Sequence, residues 1–329
     1  MKSIRWGILG CGRIARKFAS DLQLVKVAEL TAVASRSIDQ ASDFAFDFQV
    51  QHVHDNYEAL VNNPNVDVIY IATPHAFHYE HTLLCLQHKK AVLCEKPFAM
   101  NLNQASEMIK LAVEQRVFLM EAFWTRFLPH YQKTKLMITQ GSIGKIKYLH
   151  AEFGFKPGSP VPSRLYDPSL GGGALLDIGV YPVFLALELL GKPDQIEAVM
   201  TPASTGVDEQ CAIRFRYESG SIAQLFCTFS ANLASGADIC GDAGRIRLTE
   251  RFHGPTAHIE YYPGTLETKQ SINSQSISGF GYQYEAMHVM ECLQKGLTES
   301  PLMTHGFTLL LTETIDEIRK KAGIVYSTD

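Results

Sequence analysis

Much of what narrows this 329-residue sequence is missing from it. There is no run of Lys and Arg and no basic arm. With a formal net charge of −4, the chain carries no electrostatic footprint for nucleic acid or an anionic membrane surface. No apolar stretch is expected to reach membrane-spanning length. The opening Met1–Gly10 has too short an apolar core for a signal peptide, so the expected compartment is cytoplasmic. There is no internal repeat and no low-complexity tract. No Cys-x-x-C pair occurs among the 7 cysteines, an odd count. Cys11, Cys85, Cys94, Cys211, Cys227, Cys240 and Cys292 fall mostly in apolar segments, where a free thiol behaves as a small hydrophobe. What is present, 46% hydrophobic and 19% charged residues, is the composition of a soluble globular protein. The length is too great for one ordinary core, and two domains are expected.

The first half alternates strands and helices, which predicts a doubly wound α/β domain with a parallel sheet. Ile4–Leu9 is a short apolar strand. It runs into Gly10-Cys11-Gly12-Arg13-Ile14-Ala15, with a helix after it. Here the first glycine allows a tight turn, and the second lets a pyrophosphate approach the backbone. Ala15 permits close helix–strand packing, and the helix N-terminus attracts phosphate. The second strand, Leu30–Ala34, lacks the acid that grips a ribose 2′-hydroxyl in NAD sites. It ends instead in Ser35-Arg36-Ser37, an arginine between hydroxyls that suits a 2′-phosphate, so NADP is expected over NAD. Val66–Ala72 is an apolar strand ending in Thr73-Pro74-His75, a loop expected over the cofactor. His75, His78 and His81 have the spacing of metal ligands, but no acid or cysteine cluster completes a site. No metal is expected, and His81 is placed on the solvent face.

Ala91–Cys94 is another buried strand, and it runs straight into Glu95-Lys96-Pro97. A charged pair at the carboxyl end of such a strand is costly to desolvate unless something binds there, and ligands of open parallel sheets bind at those ends. Lys96 is therefore the leading catalytic candidate. Val117–Glu121 is a sixth strand. Clustered aromatics with one arginine, including Trp124 and Arg126, follow it and suit a domain seam or the wall of a ligand cleft. The boundary is drawn after residue 122, giving a nucleotide domain over 1–122 and a substrate and dimerisation domain over 123–329.

In the second half, Phe155–Ser169 is rich in Pro, Gly and Ser. Its length without clear structure marks a functional or mobile loop, with Phe155 and Tyr166 facing substrate. Gly171-Gly172-Gly173 then leads into an apolar helix to about Leu190. On that helix Asp177 and Tyr181, four apart, are expected to share one face. Buried, this carboxylate and phenol need partners. Strand-like segments from about Gln195 to Tyr262, joined by short turns, predict a mostly antiparallel sheet. One face is expected on that helix and the other covered or used for self-association. Helices at about 282–295 and 305–322 close the chain.

Taken together, Gly10–Ala15, Ala72–His75, Glu95-Lys96-Pro97, Glu121–Trp124 and Gly171–Pro182 resemble the glucose–fructose oxidoreductase/inositol dehydrogenase (Gfo/Idh/MocA) family over essentially the whole chain. Within it the sequence looks most like the branch of dimeric dihydrodiol and NADP-dependent D-xylose dehydrogenases. The resemblance implies a Rossmann domain followed by an α+β domain with an open, mostly antiparallel sheet, and a homodimer. It implies that Lys96 and Tyr181 are catalytic, that Asp177 orients a substrate hydroxyl, that Glu95 holds the nicotinamide ribose, and that the Lys96–Pro97 peptide is cis. Many members carry histidine where this chain has Tyr181, which argues against inositol dehydrogenase. The implied substrate is a small polyhydroxylated or vicinal-diol molecule. Reduction of a keto or anhydro sugar, or a sensor that binds NADP without catalysis, uses the same features.

Overall fold

The computed structural model describes residues 3–161, 163–264 and 268–329. Met1 and Lys2, at the head of the amino-terminal reading, and Pro162, within the 155–169 stretch, lie outside the described residues. The strands are β1 (Ile4–Leu9), β2 (Ala28–Ala34), β3 (His52–His54), β4 (Val68–Ile71), β5 (Ala91–Glu95), β6 (Leu119–Ala122), β7 (Ile146–Gly154), β8 (Gln195–Pro202), β9 (Asp208–Arg216), β10 (Ile222–Thr228), β11 (Ala237–Gly241), β12 (Gly244–Thr249), β13 (His258–Pro263) and β14 (Gln270–Ile272). The helices are α1 (Arg13–Leu22), α2 (Ile38–Phe48), α3 (Tyr57–Val61), α4 (His78–Gln87), α5 (Leu102–Gln115), α6 (Pro129–Thr139), α7 (Val180–Leu190), α8 (Gln283–Gln294) and α9 (His305–Ala322).

The chain forms two compact units, each built from two segments. The first is Met1–Arg126 with Ser278–Leu309, and the second is Phe127–Ile277 with Leu310–Asp329. The sequence places a single boundary after residue 122. The structure divides the chain at 126/127 and returns 278–309 to the first unit. The return is fixed by polar contacts that no local pattern reveals. The Asp21 carboxylate of α1 accepts from the N–H groups of Phe280 (2.9 Å) and Tyr282 (2.7 Å), and Thr308 Oγ1 donates to Glu121 Oε2 (3.0 Å).

The first unit holds a six-stranded, all-parallel sheet in the order β3-β2-β1-β4-β5-β6. Every residue of β4 and β5 is buried, as strands covered by helices on both faces must be. Each such Val, Leu or Ile stabilises the fold by roughly 1.5–3 kcal/mol relative to exposure.

The second unit holds an eight-stranded sheet in the order β14-β13-β12-β11-β7-β10-β9-β8. β7 and β10 are parallel and all other neighbours antiparallel, so the sheet is mostly antiparallel, as expected. Along β10, Ala223, Leu225 and Cys227 are buried, on the face where β10 and β7 meet α7. The opposite face carries a groove of about 540 Å³ whose lining includes His150, Glu197, Val199, Arg214, Gln224 and Phe226.

The expectation that no apolar stretch reaches membrane-spanning length is corrected. Pro168–Leu190 is apolar and long enough, at 23 residues, to cross a membrane by length and composition. In the fold it is a core element, with 78% of its most apolar window buried.

Candidate functional site

The register of the parallel sheet gathers the first set of candidates. Leu9 pairs with both Ala34 and Ile71, Ile71 with Cys94, and Cys94 with Glu121. Gly10, Ser35, Thr73 and Lys96 therefore follow, and Glu95 closes, strands that end at one edge. At Gly10 φ is +98°, and a Cβ would stand 2.9 Å from Thr73 Cγ2, so only glycine fits there. At Gly12 a Cβ would meet nothing within 4 Å. The helix that starts at Arg13 has no side-chain cap and no acid in its first turn. Its N-terminal N–H groups and positive dipole end are left for an anion. These residues fit the pyrophosphate of a dinucleotide. Arg13 is exposed and Ile14 half-buried. The Cys11 thiol points to the Ala34 carbonyl at 3.6 Å, and burial pushes it up to about 11, so it stays protonated.

Beyond β2, the serine hydroxyls serve the chain itself. Ser35 donates to Gln40 Oε1 (3.2 Å), and Ser37 caps α2 by accepting from the Gln40 N–H (3.4 Å). Arg36 is exposed, its guanidinium 5.7 Å from the centre of the Phe77 ring. Contrary to expectation, His81 is buried. Its ring packs on Tyr57 (4.7 Å) and its Nδ1 lies 3.0 Å from Thr73 Oγ1. Burial, and then the charge of Arg36, lower it to about 4. His78 bridges the carbonyls of Pro97 and Thr73, each at 2.9 Å. Burial holds it down to about 3, so near neutrality its single N–H serves one carbonyl at a time. It braces the Thr73-Pro74 turn against the Lys96–Pro97 peptide, which is cis. His75 is buried in a short 3₁₀ turn, His75–Phe77, with Pro74 half-exposed before it.

Lys96 is half-buried and Glu95 buried. Tyr70 of β4 donates to Glu95 Oε1, and the Lys96 N–H donates to Oε2 at 3.2 Å. The Tyr70 ring stacks on Phe18 (3.8 Å), and burial followed by the Glu95 charge keeps the phenol protonated. Glu285 of α8 is fully buried, and neither of its oxygens has a hydrogen-bond partner among the described residues. Burial, then the charges of Glu95 and Asp21, push its carboxyl well above the usual range. Trp124 stacks on Tyr282 at 4.6 Å, and the Arg126 guanidinium lies 4.3 Å from the centre of the Phe307 ring. Tyr70, Tyr282, Glu285 and Phe307 are not among the sequence candidates. Tyr70 is the most findable of them, a phenol inside an otherwise aliphatic buried strand.

In the second unit, Gly171 and Gly173 take positive φ (+72° and +126°). The helix that follows is irregular. Leu175–Gly179 forms a π-helical turn before α7 begins. Asp177 lies within this turn and Tyr181 in the first turn of α7, so their four-residue spacing spans a change of helix type. π-turns of this kind are often found at functional sites. Asp177 pairs with Arg164 at 3.2 Å. Tyr181 is 6% exposed, its ring 4.5 Å from His253 and 5.8 Å from Phe153. Phe155 and Tyr166 both meet Phe229, at 5.3 and 5.7 Å, and Tyr166 Oη lies 3.4 Å from Glu209. An aromatic series thus runs from Tyr166 through Phe229, Phe155 and Phe153 to His253 and Tyr181. Phe229 and His253 are not among the candidates either, since neither carries a local motif. Among the described residues no three His, Cys, Asp or Glu side chains are grouped to hold a metal.

The parallel, helix-covered sheet with a glycine turn after its first strand defines a nucleotide-binding type of α/β unit, and comparison with known proteins supplies the class. Residues 4–123 match the model for the oxidoreductase family with an NAD-binding Rossmann fold, and residues 131–247 match the GFO/IDH/MocA C-terminal domain. The chain is 37% identical to the trans-1,2-dihydrobenzene-1,2-diol dehydrogenase of Mus musculus, over 99% of both chains. It is 38% identical to the enzyme of the same name from Xenopus laevis, over 98% of this chain and 99% of that one. Among solved structures, a 3-ketoreductase from Actinomadura kijaniata in complex with NADP and TDP-benzene superposes with a TM-score of 0.87 at 27% identity, covering 98% of each chain. An aldose-aldose oxidoreductase from Caulobacter crescentus, 21% identical with a TM-score of 0.89 and 98% of each chain covered, shares the fold. The chain belongs to the Gfo/Idh/MocA oxidoreductase family.

Proposed function

We propose that this protein is an NADP-dependent dehydrogenase of a small vicinal diol or sugar, with Lys96, Tyr181 and Asp177 as its reactive side chains. The observation that carries the reading is the full-length similarity to diol dehydrogenases, together with the uncapped helix N-terminus at Gly12. A bound nicotinamide cofactor supplies the hydride acceptor in oxidation and the donor in reduction. Gly10, Gly12 and the N–H groups of α1 hold its pyrophosphate, Arg36 its 2′-phosphate, and Glu95 its ribose. Tyr181 takes the hydroxyl proton of the substrate during oxidation and returns it during reduction. A free phenol titrates near about 10, so it works as a base near neutrality only beside a cation. Lys96 is assigned that role. Asp177, steadied by Arg164, accepts a hydrogen bond from a second substrate hydroxyl. The open sheet face, with Val199 67% exposed, supports self-association as a homodimer, which light scattering tests.

The test is NADPH absorbance across a panel of vicinal diols, aldoses and keto sugars. Tyr181→Phe and Lys96→Met should each lower kcat by about 10²–10⁴-fold. The double variant should fall little further, because groups that act as a unit are not additive. Near-normal turnover in either single variant removes the assignment. Turnover of keto sugars alone favours the reductase reading, to which the 3-ketoreductase similarity points. NADP binding without any turnover favours a sensor. Arg36→Ala should weaken NADP by about tenfold or more and leave NAD nearly unchanged, because a charge-assisted contact to phosphate is lost. Equal losses for the two cofactors would overturn the NADP preference.

A further inference from the structure

The turn before Asp177 and Tyr181 is tied down from two sides by residues that no motif marks. Asp208, the first residue of β9, is fully buried. Its Oδ2 accepts from the Leu175 N–H at 2.6 Å, at the start of the π-turn. Its Oδ1 lies so close to Gly173 that a Cβ there would stand 2.2 Å away. From the other side, Tyr326 Oη donates to the Gly172 carbonyl at 2.6 Å. Tyr326 is itself fixed. Its N–H donates to Asp329 Oδ2 (2.8 Å), and its ring lies 4.7 Å from the guanidinium of Arg319, which also binds the Asp329 carboxylate (2.6 Å to Oδ1).

We propose that Asp208 and Tyr326 are positioning residues for the reaction, setting the 172–175 backbone and through it the places of Asp177 and Tyr181. This role rests on Asp177 and Tyr181 doing the chemistry proposed for them. The Asp208 carboxylate satisfies a donor that a helix start otherwise leaves orphaned, and its charge suits that end of the dipole. Tyr326 fixes the orientation of the peptide two residues earlier. Both contacts fall at or before the first residue of the π-turn, and together they hold the backbone that leads into it. A misplacement of about 1 Å at reacting groups costs on the order of 10²-fold in rate.

The arrangement also responds to pH. Burial raises Asp208 to about 7, opposed by the backbone donors of Leu175, Ala174 and Asp208 itself and by the Arg319 charge. The other titratable groups facing it are Tyr326 from the C-terminal segment, Cys211 on β9 and Cys227 on β10. Burial pushes all three up, so they are neutral near pH 7. Asp208 is then the group that changes charge beneath the turn. Once protonated it accepts the Leu175 N–H less strongly.

Asp208→Asn and Tyr326→Phe test the role in the full-length protein. Each should lower kcat about tenfold or more, with NADP affinity unchanged within twofold, and the double variant should lose less than the product of the singles. Amide exchange across residues 171–181 should speed up about tenfold in both, with no change in peptides of β1 and α1. The acidic limb of the wild-type rate profile near pH 7 should vanish in Asp208→Asn and persist in Tyr326→Phe. Variants with a lowered melting temperature but wild-type kcat, KM and pH profile would show a merely structural role and overturn the proposal. If Asp208→Asn does not fold, Tyr326→Phe decides alone. Tyr181→Phe is run alongside. If it stays active, the assignment of the chemistry fails. If it is inactive while both positioning variants behave as wild type, only the positioning role fails.

Discussion

The Gly10–Gly12 turn and the Gly171–Gly173 turn each lead into a helix, and each contains a glycine in a left-handed conformation. They are completed in opposite ways. The first turn is packed on one side only. Gly10 abuts Thr73, but a side chain at Gly12 would project into open space, and no side chain caps α1. The second turn is filled by the protein. Asp208 occupies the helix start, and Tyr326 holds the carbonyl before it. The same local composition therefore serves two ends. On the reading proposed above, one turn keeps its N–H groups for a ligand's phosphates, while the other gives the Leu175 N–H to a carboxylate of the protein itself. Glycine content alone does not separate the two. What separates them is whether a buried acid from a distant strand reaches the helix start.

Substitutions sharpen this contrast. Gly173→Ala should be the most damaging. It combines φ of +126° with a Cβ 2.2 Å from Asp208 Oδ1 and 3.0 Å from Tyr326 Oη. Strain and overpacking together should cost about 3 kcal/mol or more, read as a melting temperature lower by roughly 6–12 °C. Gly12→Ala should do the reverse. Its effect on stability should lie within about 0.5 kcal/mol, while dinucleotide affinity, measured by calorimetry, should fall about tenfold, or about 1.4 kcal/mol. Normal dinucleotide binding by Gly12→Ala would mean that the first turn is not a phosphate cradle. The smallest effect concerns the buried acid of the first unit. Burial raises Glu121 to about 7, against a hydrogen bond from Thr308. A carboxyl raised in the folded state binds more protons there than when unfolded. Its contribution is present below the unfolded value of about 4.5 and fades as pH rises through about 7. Glu121→Gln should therefore flatten the fall of melting temperature between about pH 4.5 and pH 7, read by calorimetry across that range, without moving the rate profile assigned to Asp208.

The sequence is most readable where burial is complete and local. β4 and β5 are plain in it because both faces of a parallel strand are covered, and Glu95 and Lys96 stand out as charges at the end of such a strand. The Gly10–Gly12 turn is legible because strand, glycines and helix are contiguous. The π-turn at Leu175–Gly179 is not. An α-helix and a π-turn in an almost wholly apolar segment show the same pattern of residue types, and Asp208, which binds the Leu175 N–H at the start of the turn, stands 33 positions away. His81 is misread as a surface residue because histidine is equally at home there and in a core with a partner, and its partner Thr73 belongs to a loop. Tyr70 can be picked out as a phenol in an aliphatic buried strand, whereas Glu285, Phe229 and His253 carry no signal in the sequence that matches their place, because each acquires meaning only through a ring or carboxylate brought in by the fold.

The return of residues 278–309 to the first unit has a consequence for how the protein is made. Asp21 lies in the first helix, yet the N–H groups it binds belong to Phe280 and Tyr282. During synthesis the parallel sheet leaves the ribosome long before the residues that finish its unit. Domains that close early fold as they emerge. This one waits, Asp21 without those N–H groups and Glu121 without the Thr308 hydroxyl, until about nine-tenths of the chain has been translated. A gene cut after residue 126 would encode all six strands and still lack Tyr282, Glu285 and Thr308. To isolate the nucleotide-binding unit as a folded protein, the two segments must be rejoined through a linker.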